Sequence, residues 1–191
     1  DYLPFHPDFL IGNVPKIEPV SYYKALNKFF EKIEQETGRP VVVAAHPKAD
    51  YSKNPFDGRA IVFGQTHRLV RDARLVIAHQ STAVSYAVIF RKPLVLLFSE
   101  DMRRADYHVY SVMARTSEVL NCPLIDFTQE PPSSFDTKVD QDGYDEYHRR
   151  FLSNSDDMRT SHEIVVSTLK NWAAHGHEPN KQQSTGGTSW N

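Results

Sequence analysis

The sequence predicts an α/β fold, a parallel sheet with helices on both of its faces. Three observations carry that expectation. The runs "PVVVAA" (40–45), "RLVIAH" (74–79) and "PLVLLF" (93–98) are apolar without alternation, the pattern of strands buried on both faces. Segments with apolar residues at helical spacing alternate with them. Small polar clusters, His46-Pro47-Lys48 and His79-Gln80-Ser81-Thr82, stand directly after two of the runs, where open parallel sheets bind their ligands.

Taken in order, residues 1–19 hold four prolines and make a poor helix. From Val20 to Thr37 the apolar residues Tyr22, Leu26, Phe29, Phe30 and Ile33 fall on one helical face, and Gly38 stands where a C-cap glycine belongs. The strand 40–45 follows and stops at His46-Pro47. A polar loop over 49–59 leads to a short strand, "AIVFG". Thr66 is placed to cap a short helix bearing Leu69, Val70 and Ala73. After the strand 74–79, Ser81 opens a helix with Val84, Val88 and Ile89 on its apolar stripe. Beyond the strand 93–98, residues 107–120 read as a helix and "CPLIDF" as a weaker last strand. A polar loop is expected over 131–143 and a helix over 144–152. Thr160 and Glu163 form a capping box ahead of Ile164, Val165, Thr168, Leu169 and Trp172. One domain is expected over 1–174, with a disordered polar tail over 175–191.

The bulk numbers exclude several classes. With 191 residues, 40% hydrophobic and 24% charged, the chain has globular composition. A net charge of -2 argues against a nucleic-acid partner held by phosphate charge. Cys122 is the single cysteine, so neither an internal disulfide nor a cysteine zinc site can form. No apolar run approaches the roughly 18 residues of a membrane span. The nine histidines are scattered, none paired at ligand spacing with an acid, so no metal and no metal cofactor are expected.

The residues at the strand ends carry the candidate chemistry. Ser81 and Thr82 place two hydroxyls where a helix opens, a setting suited to phosphate or carboxylate. Ser81 or Thr82 acting only as an N-cap is the plain alternative. Pro47 restricts His46 to extended backbone and holds its imidazole at the rim, with the charge of Lys48 beside it. His46 could donate a hydrogen bond to a phosphate or serve only to end the strand. Gly64 and Gln65 follow the short strand, and Gly64 permits close approach of a flat base to the backbone.

The order strand–His-Pro, then strand–His-x-Ser-Thr–helix–x-Lys-Pro–strand, resembles the C-terminal half of GT-B glycosyltransferases. More narrowly it is similar to bacterial surface-polysaccharide enzymes of the sialyltransferase and Kdo-transferase type. The matching residues are His46-Pro47 and Ser81-Thr82, with "FRKPLVLL" similar to a strand entry common in GT-B donor domains. "YDEYHRRFLSN" and "SHEIVVSTL" resemble the closing helices of such proteins. Two departures stand out: Thr82 replaces a second serine, and Arg91 replaces the usual glycine before Lys92-Pro93.

The resemblance implies a Rossmann-like domain that holds a nucleotide-sugar donor, CMP-sugar foremost, for capsule or other surface polysaccharide biosynthesis. His46, Pro47, Lys48, Gly64, Gln65, Ser81 and Thr82 would bind the nucleotide, and His46 would be catalytic. The acceptor would be a glycan or a lipid-linked sugar. The full-length enzyme would be cytoplasmic, with peripheral association at the inner face of the membrane. The chain would then be a fragment, inactive alone. It would start in a loop, at "DYLPFHPD", and lack the first strand and the N-terminal domain that carries the catalytic base. UDP-sugar 2-epimerases share this half-fold, so half of such an enzyme is one alternative, and a non-catalytic Rossmann-like module is another.

Overall fold

The structure, a computed structural model, describes residues 17–47, 49, 51–135, 138–153, 159 and 161–175. The opening loop expected at 1–16, Lys48, Thr160 of the capping box and the tail over 176–191 lie outside the described residues. The chain divides into two compact units, residues 1–154 and 155–191. In the second unit the helix expected after the capping box spans Ser161–His175. It therefore includes His175, where the tail was expected to begin.

The first unit opens with α1, Pro19–Thr37. Pro19 takes the first helical position, where its missing N–H is no loss. Glu18 serves as the cap: its carboxylate accepts from the N–H groups of Val20 at 2.9 Å and Ser21 at 2.6 Å. Gly38, at φ 63°, ends the helix in the left-handed region and returns its N–H to the Glu34 carbonyl, as the sequence implies. The five apolar residues expected on one face are all buried.

Every strand pairing is parallel. β1 (Val43–Ala44) pairs with β2 (Ile61–Val62). A second sheet has the order β3 (Val76–Ala78), β4 (Leu94–Phe98), β5 (Leu124–Asp126). The connecting elements are α2 (Thr66–Asp72) and α3 (Val84–Ile89), then α4 (Glu100–Ala105) and α5 (Tyr107–Leu120). The unit closes with α6 (Gln141–Tyr147) and a π-helical turn, His148–Leu152.

Alternate residues of β4 belong to two different apolar layers. Val95 and Leu97 pack with Leu26, Phe29 and Phe30 of α1 and Met113 of α5. Leu94 and Leu96 pack with Val84 and Val88 of α3 and Tyr144 of α6. Helices thus cover both faces, as the unbroken apolar run requires. The fold is α/β, with parallel strands and helices on either side.

Four local expectations differ from the structure. The strands of the expected single sheet fall into two ladders, since β1 and β3 do not pair. Thr66 is the first helical residue of α2 and not its cap, and Gln65 before it makes no side-chain capping bond. A helix, α4, follows β4 directly: the Ser99 hydroxyl accepts from the Met102 N–H at 3.1 Å and so nucleates a turn. Finally, α6 begins inside the expected loop, because Asp140 caps it through the Gly143 N–H at 3.1 Å. Gly143 is required there for packing. A Cβ at that position would meet the Val119 carbonyl oxygen at 2.5 Å.

Candidate functional site

A run of side-chain contacts links the carboxyl ends of β1 and β3. After α1 the chain doubles back, and the Val41 N–H bonds the Glu34 carboxylate at 2.8 Å. β1 therefore runs opposite to α1 and finishes toward the helix's N-terminal part. His46 follows there, half-buried, with Pro47 exposed behind it. A run of rings leads on from His46. Tyr51 is hydrogen-bonded to the His46 backbone. It packs on Phe56 at 5.6 Å, Phe56 on Tyr23 at 5.5 Å and Tyr23 on Tyr22 at 5.0 Å, centroid to centroid. The Tyr22 hydroxyl then meets His79 Nε2 at 3.1 Å. Burial pushes the Tyr23 hydroxyl up to about 12 and raises Tyr51 as well, so the run is uncharged. It joins the carboxyl end of β1 to that of β3.

His79 explains why β3 stops. The Val76 N–H bonds the Pro93 carbonyl, so the ladder would next use the Leu97 carbonyl for the N–H of Gln80. The His79 imidazole takes that carbonyl instead, Nδ1 to oxygen at 2.7 Å. Nδ1 is therefore the donor, and Nε2 accepts from Tyr22. Burial pushes the His79 pKa down to about 3, against the opposing pull of the Leu97 bond. The ring is a neutral structural peg. His79 is not among the candidate residues that the sequence offers, although a histidine directly after a buried strand is a signal for such a peg.

The peg leaves Ser81 and Thr82 at the surface, both exposed. The helix expected to open at Ser81 starts three residues later, at Val84. The amides of Val84, Ser85 and Tyr86 bond back to the carbonyls of Ser81, Thr82 and Ala83, and the Ala83 N–H bonds the Ser81 hydroxyl oxygen at 3.1 Å. The first-turn donors expected of a helix N-terminus are thus consumed. What remains for an anion is the turn itself: the backbone N–H groups and side-chain hydroxyls of Ser81 and Thr82. Among the described residues none of the four is engaged as a donor.

Gly64 and Gln65 follow β2, the parallel partner of β1, and both are exposed. Gly64 sits at φ 67°, a conformation that costs a side-chain-bearing residue more. The ends of β2 and β3 therefore present open polar groups. Those of β4 and β5 are closed on themselves. Ser99 after β4 is occupied in capping α4, and Asp126 at the end of β5 accepts from the N–H and hydroxyl of Thr128. Among the described residues no group of three His, Cys, Asp or Glu side chains could hold a metal, and no helix is long and apolar enough to cross a membrane.

A concavity of about 720 Å³ lies elsewhere, along α1 between Tyr23, Asn27, Glu31 and the 55–59 loop. Part of its polar lining is already paired. The Arg59 guanidinium bonds both Glu34 oxygens at 3.1 and 2.7 Å and Asn27 at 3.2 Å, while the Asn27 amide donates to the Pro55 carbonyl. The open groups at the strand ends are the better place for chemistry. No family model, no curated protein and no solved structure matches this chain.

Proposed function

We propose that this chain is the donor-binding half of a glycosyltransferase that takes its sugar from a nucleotide, CMP-sugar foremost, for surface polysaccharide. The observation that carries the reading is the turn at Ser81-Thr82. Among the described residues, two hydroxyls and two amides engage no acceptor there, at the carboxyl end of a buried parallel strand. A donor phosphate fits such a set of neutral donors. His46 would donate to the same phosphate as the sugar departs. Charge grows on the phosphate at that moment, so the bond strengthens in the transition state and lowers the barrier. Gly64 and Gln65 would meet the base through the backbone, with Pro47 and Lys48 completing the loop beside His46. The acceptor and the catalytic base would lie outside this half.

The test is calorimetry of CMP and UDP binding to the full-length protein. Thr82→Val is the clean variant, because the Thr82 hydroxyl makes no bond among the described residues, whereas Ser81→Ala also removes the acceptor for Ala83. Losing one hydrogen bond to a charged group costs roughly 1.5–3 kcal/mol, so affinity should fall about ten- to a hundredfold. Unchanged affinity for both nucleotides in Ser81→Ala/Thr82→Val would remove the turn from the site.

A further inference from the structure

Tyr22 is not among the residues proposed to touch a ligand. Its hydroxyl nonetheless faces the residue from which the Ser81-Thr82 turn departs. α1 brings it there. Pro19 and the Glu18 cap fix where the helix starts, and the Tyr22 N–H closes the first turn on the Glu18 carbonyl at 3.1 Å. Tyr22 then meets His79 after β3 and Phe127 after β5, all three buried. The Tyr22 ring is edge-on to Phe127 at 5.4 Å and to Tyr23 at 5.0 Å, and the His79 ring lies against Phe127 at 5.9 Å. The Phe127 N–H is itself tied to the Phe98 carbonyl at 3.0 Å. Close packing of this kind keeps the hydroxyl aimed at the imidazole.

The bond between them settles where a proton sits. A neutral imidazole carries one N–H, and the bond made at one nitrogen decides what the other can do. The Leu97 carbonyl can only accept, so Nδ1 holds the proton, 2.7 Å away. Nε2 is left with a single lone pair inside the apolar layer that contains Tyr22, Leu97 and Phe127. That lone pair takes one hydrogen bond, and the Tyr22 hydroxyl supplies it at 3.1 Å. Take the hydroxyl away and the ring faces two poor choices. It keeps the proton on Nδ1 and loses the donor at Nε2, or it moves the proton to Nε2 and sets the Nδ1 lone pair against the Leu97 oxygen. Each costs a buried hydrogen bond, and the second breaks the rung that ends β3.

That rung bears on the turn beyond it. One residue, Gln80, separates His79 from Ser81 and Thr82. The turn closes on itself: the Ala83 N–H bonds the Ser81 hydroxyl oxygen, and the Val84 and Ser85 N–H groups bond the carbonyls of Ser81 and Thr82. Its near end is anchored to β4 through His79. We infer that Tyr22 is a positioning residue for the Ser81-Thr82 turn: its hydroxyl selects the Nδ1–H tautomer of His79 and so holds the turn against β4. Its bearing on nucleotide affinity rests on the proposed function, whereas its hold on the turn does not.

The experiment is NMR on the isotope-labelled intact chain, as wild type and as Tyr22→Phe, which keeps the ring and removes only the hydroxyl. At pH 7 the wild-type His79 should be protonated at Nδ1 alone in long-range nitrogen–proton spectra. In Tyr22→Phe the Nε2–H form should appear. The amides of Ala83, Val84 and Ser85 should then exchange about tenfold faster relative to those of Val43 and Ala45 in the β1–β2 ladder. All five amides quickening alike would make Tyr22 a packing residue only and overturns the inference. An unchanged tautomer with unchanged exchange overturns it too, and so does a wild-type ring protonated at Nε2, a result that needs no variant to fold. Calorimetry with CMP and UDP is the second arm. Where Thr82→Val lowers affinity, Tyr22→Phe should lower it about tenfold as well, and the two together by less than the product of their separate losses. Unchanged affinity in Tyr22→Phe beside a weakened Thr82→Val overturns the inference. A wild type that binds neither nucleotide removes the proposed function instead, and the spectra alone then decide on Tyr22.

Discussion

β1 and β3 each end in a histidine, followed in one case by Pro47 and in the other by Gln80. His46 is half-buried and held at the rim by its proline. His79 is 5% exposed, and both its ring nitrogens are engaged, with Leu97 and with Tyr22. The same side chain at the same station of the fold is thus half-buried at the rim in one strand and a buried peg in the other. What separates them is the residue that follows. Proline stiffens the backbone and ends the strand by itself. Without it, β3 needs the imidazole to close the last rung.

The comparison can be broken most directly at His46. On the proposed function, His46→Ala should reduce turnover on the order of 10²–10³, as removal of one preorganised donor does, while stability shifts by less than about 1 kcal/mol. His46→Asn, which keeps an N–H, should recover part of the rate. Unchanged turnover with only a raised donor KM would make His46 a binding residue and nothing more.

His79→Ala should do the reverse. It strands the Leu97 carbonyl, removes one partner of the Tyr22 hydroxyl and opens a cavity, so urea denaturation should show a loss of about 2–4 kcal/mol. A loss below about 0.5 kcal/mol would show that the peg is dispensable.

The same ring gives the fold a pH dependence. The folded state keeps His79 neutral, with its pKa near 3 against the ordinary 6.5, so the unfolded chain binds the extra proton. Its contribution is fully present above about pH 6.5 and is lost as pH falls toward 3. Between pH 6.5 and 5 the wild type should lose up to about 1.4 kcal/mol per pH unit more than His79→Phe. Parallel stability curves for the two proteins would refute this. The smallest effect is expected at Lys48. A flexible ammonium is a poorly directed donor, and Lys48→Ala should change turnover by less than about tenfold.

The sequence showed some of this clearly. The helical spacing of Tyr22, Leu26, Phe29, Phe30 and Ile33 and the stop at Gly38 are local signals, and α1 follows them to within a residue. The apolar run of β4 states that both faces are covered, and they are. A run of that kind does not say which strand lies alongside, so the separation of β1 from β3 could not be read. Nor could the start of α6. A glycine in the polar stretch signals a loop, and only the Val119 carbonyl pressed against Gly143 explains a glycine inside a helix. At the site, Ser81 and Thr82 were legible as exposed hydroxyls past a strand. The consumption of the helix amides by a tight turn depends on backbone geometry that composition does not encode.

Arg91 holds a consequence for how the chain reaches this fold. It occupies the turn between α3 and β4 at φ 51°, a conformation that costs a side-chain-bearing residue roughly 1–2 kcal/mol. Its guanidinium is held by the side chains of Gln141, at 3.3 Å, and Asp145. The strain is local and present as soon as the turn closes. The compensating contacts come from a helix some 54 residues further along, after it has docked. The expected order of folding has the strained turn form before α6 arrives. Replacing Arg91 with glycine should accelerate folding, because the strain is gone from the transition state. It should also accelerate unfolding, because the late contacts are gone from the native state. Stopped-flow measurements should show both limbs rising together with the midpoint barely moved, whereas a faster unfolding limb alone would place the turn after the barrier.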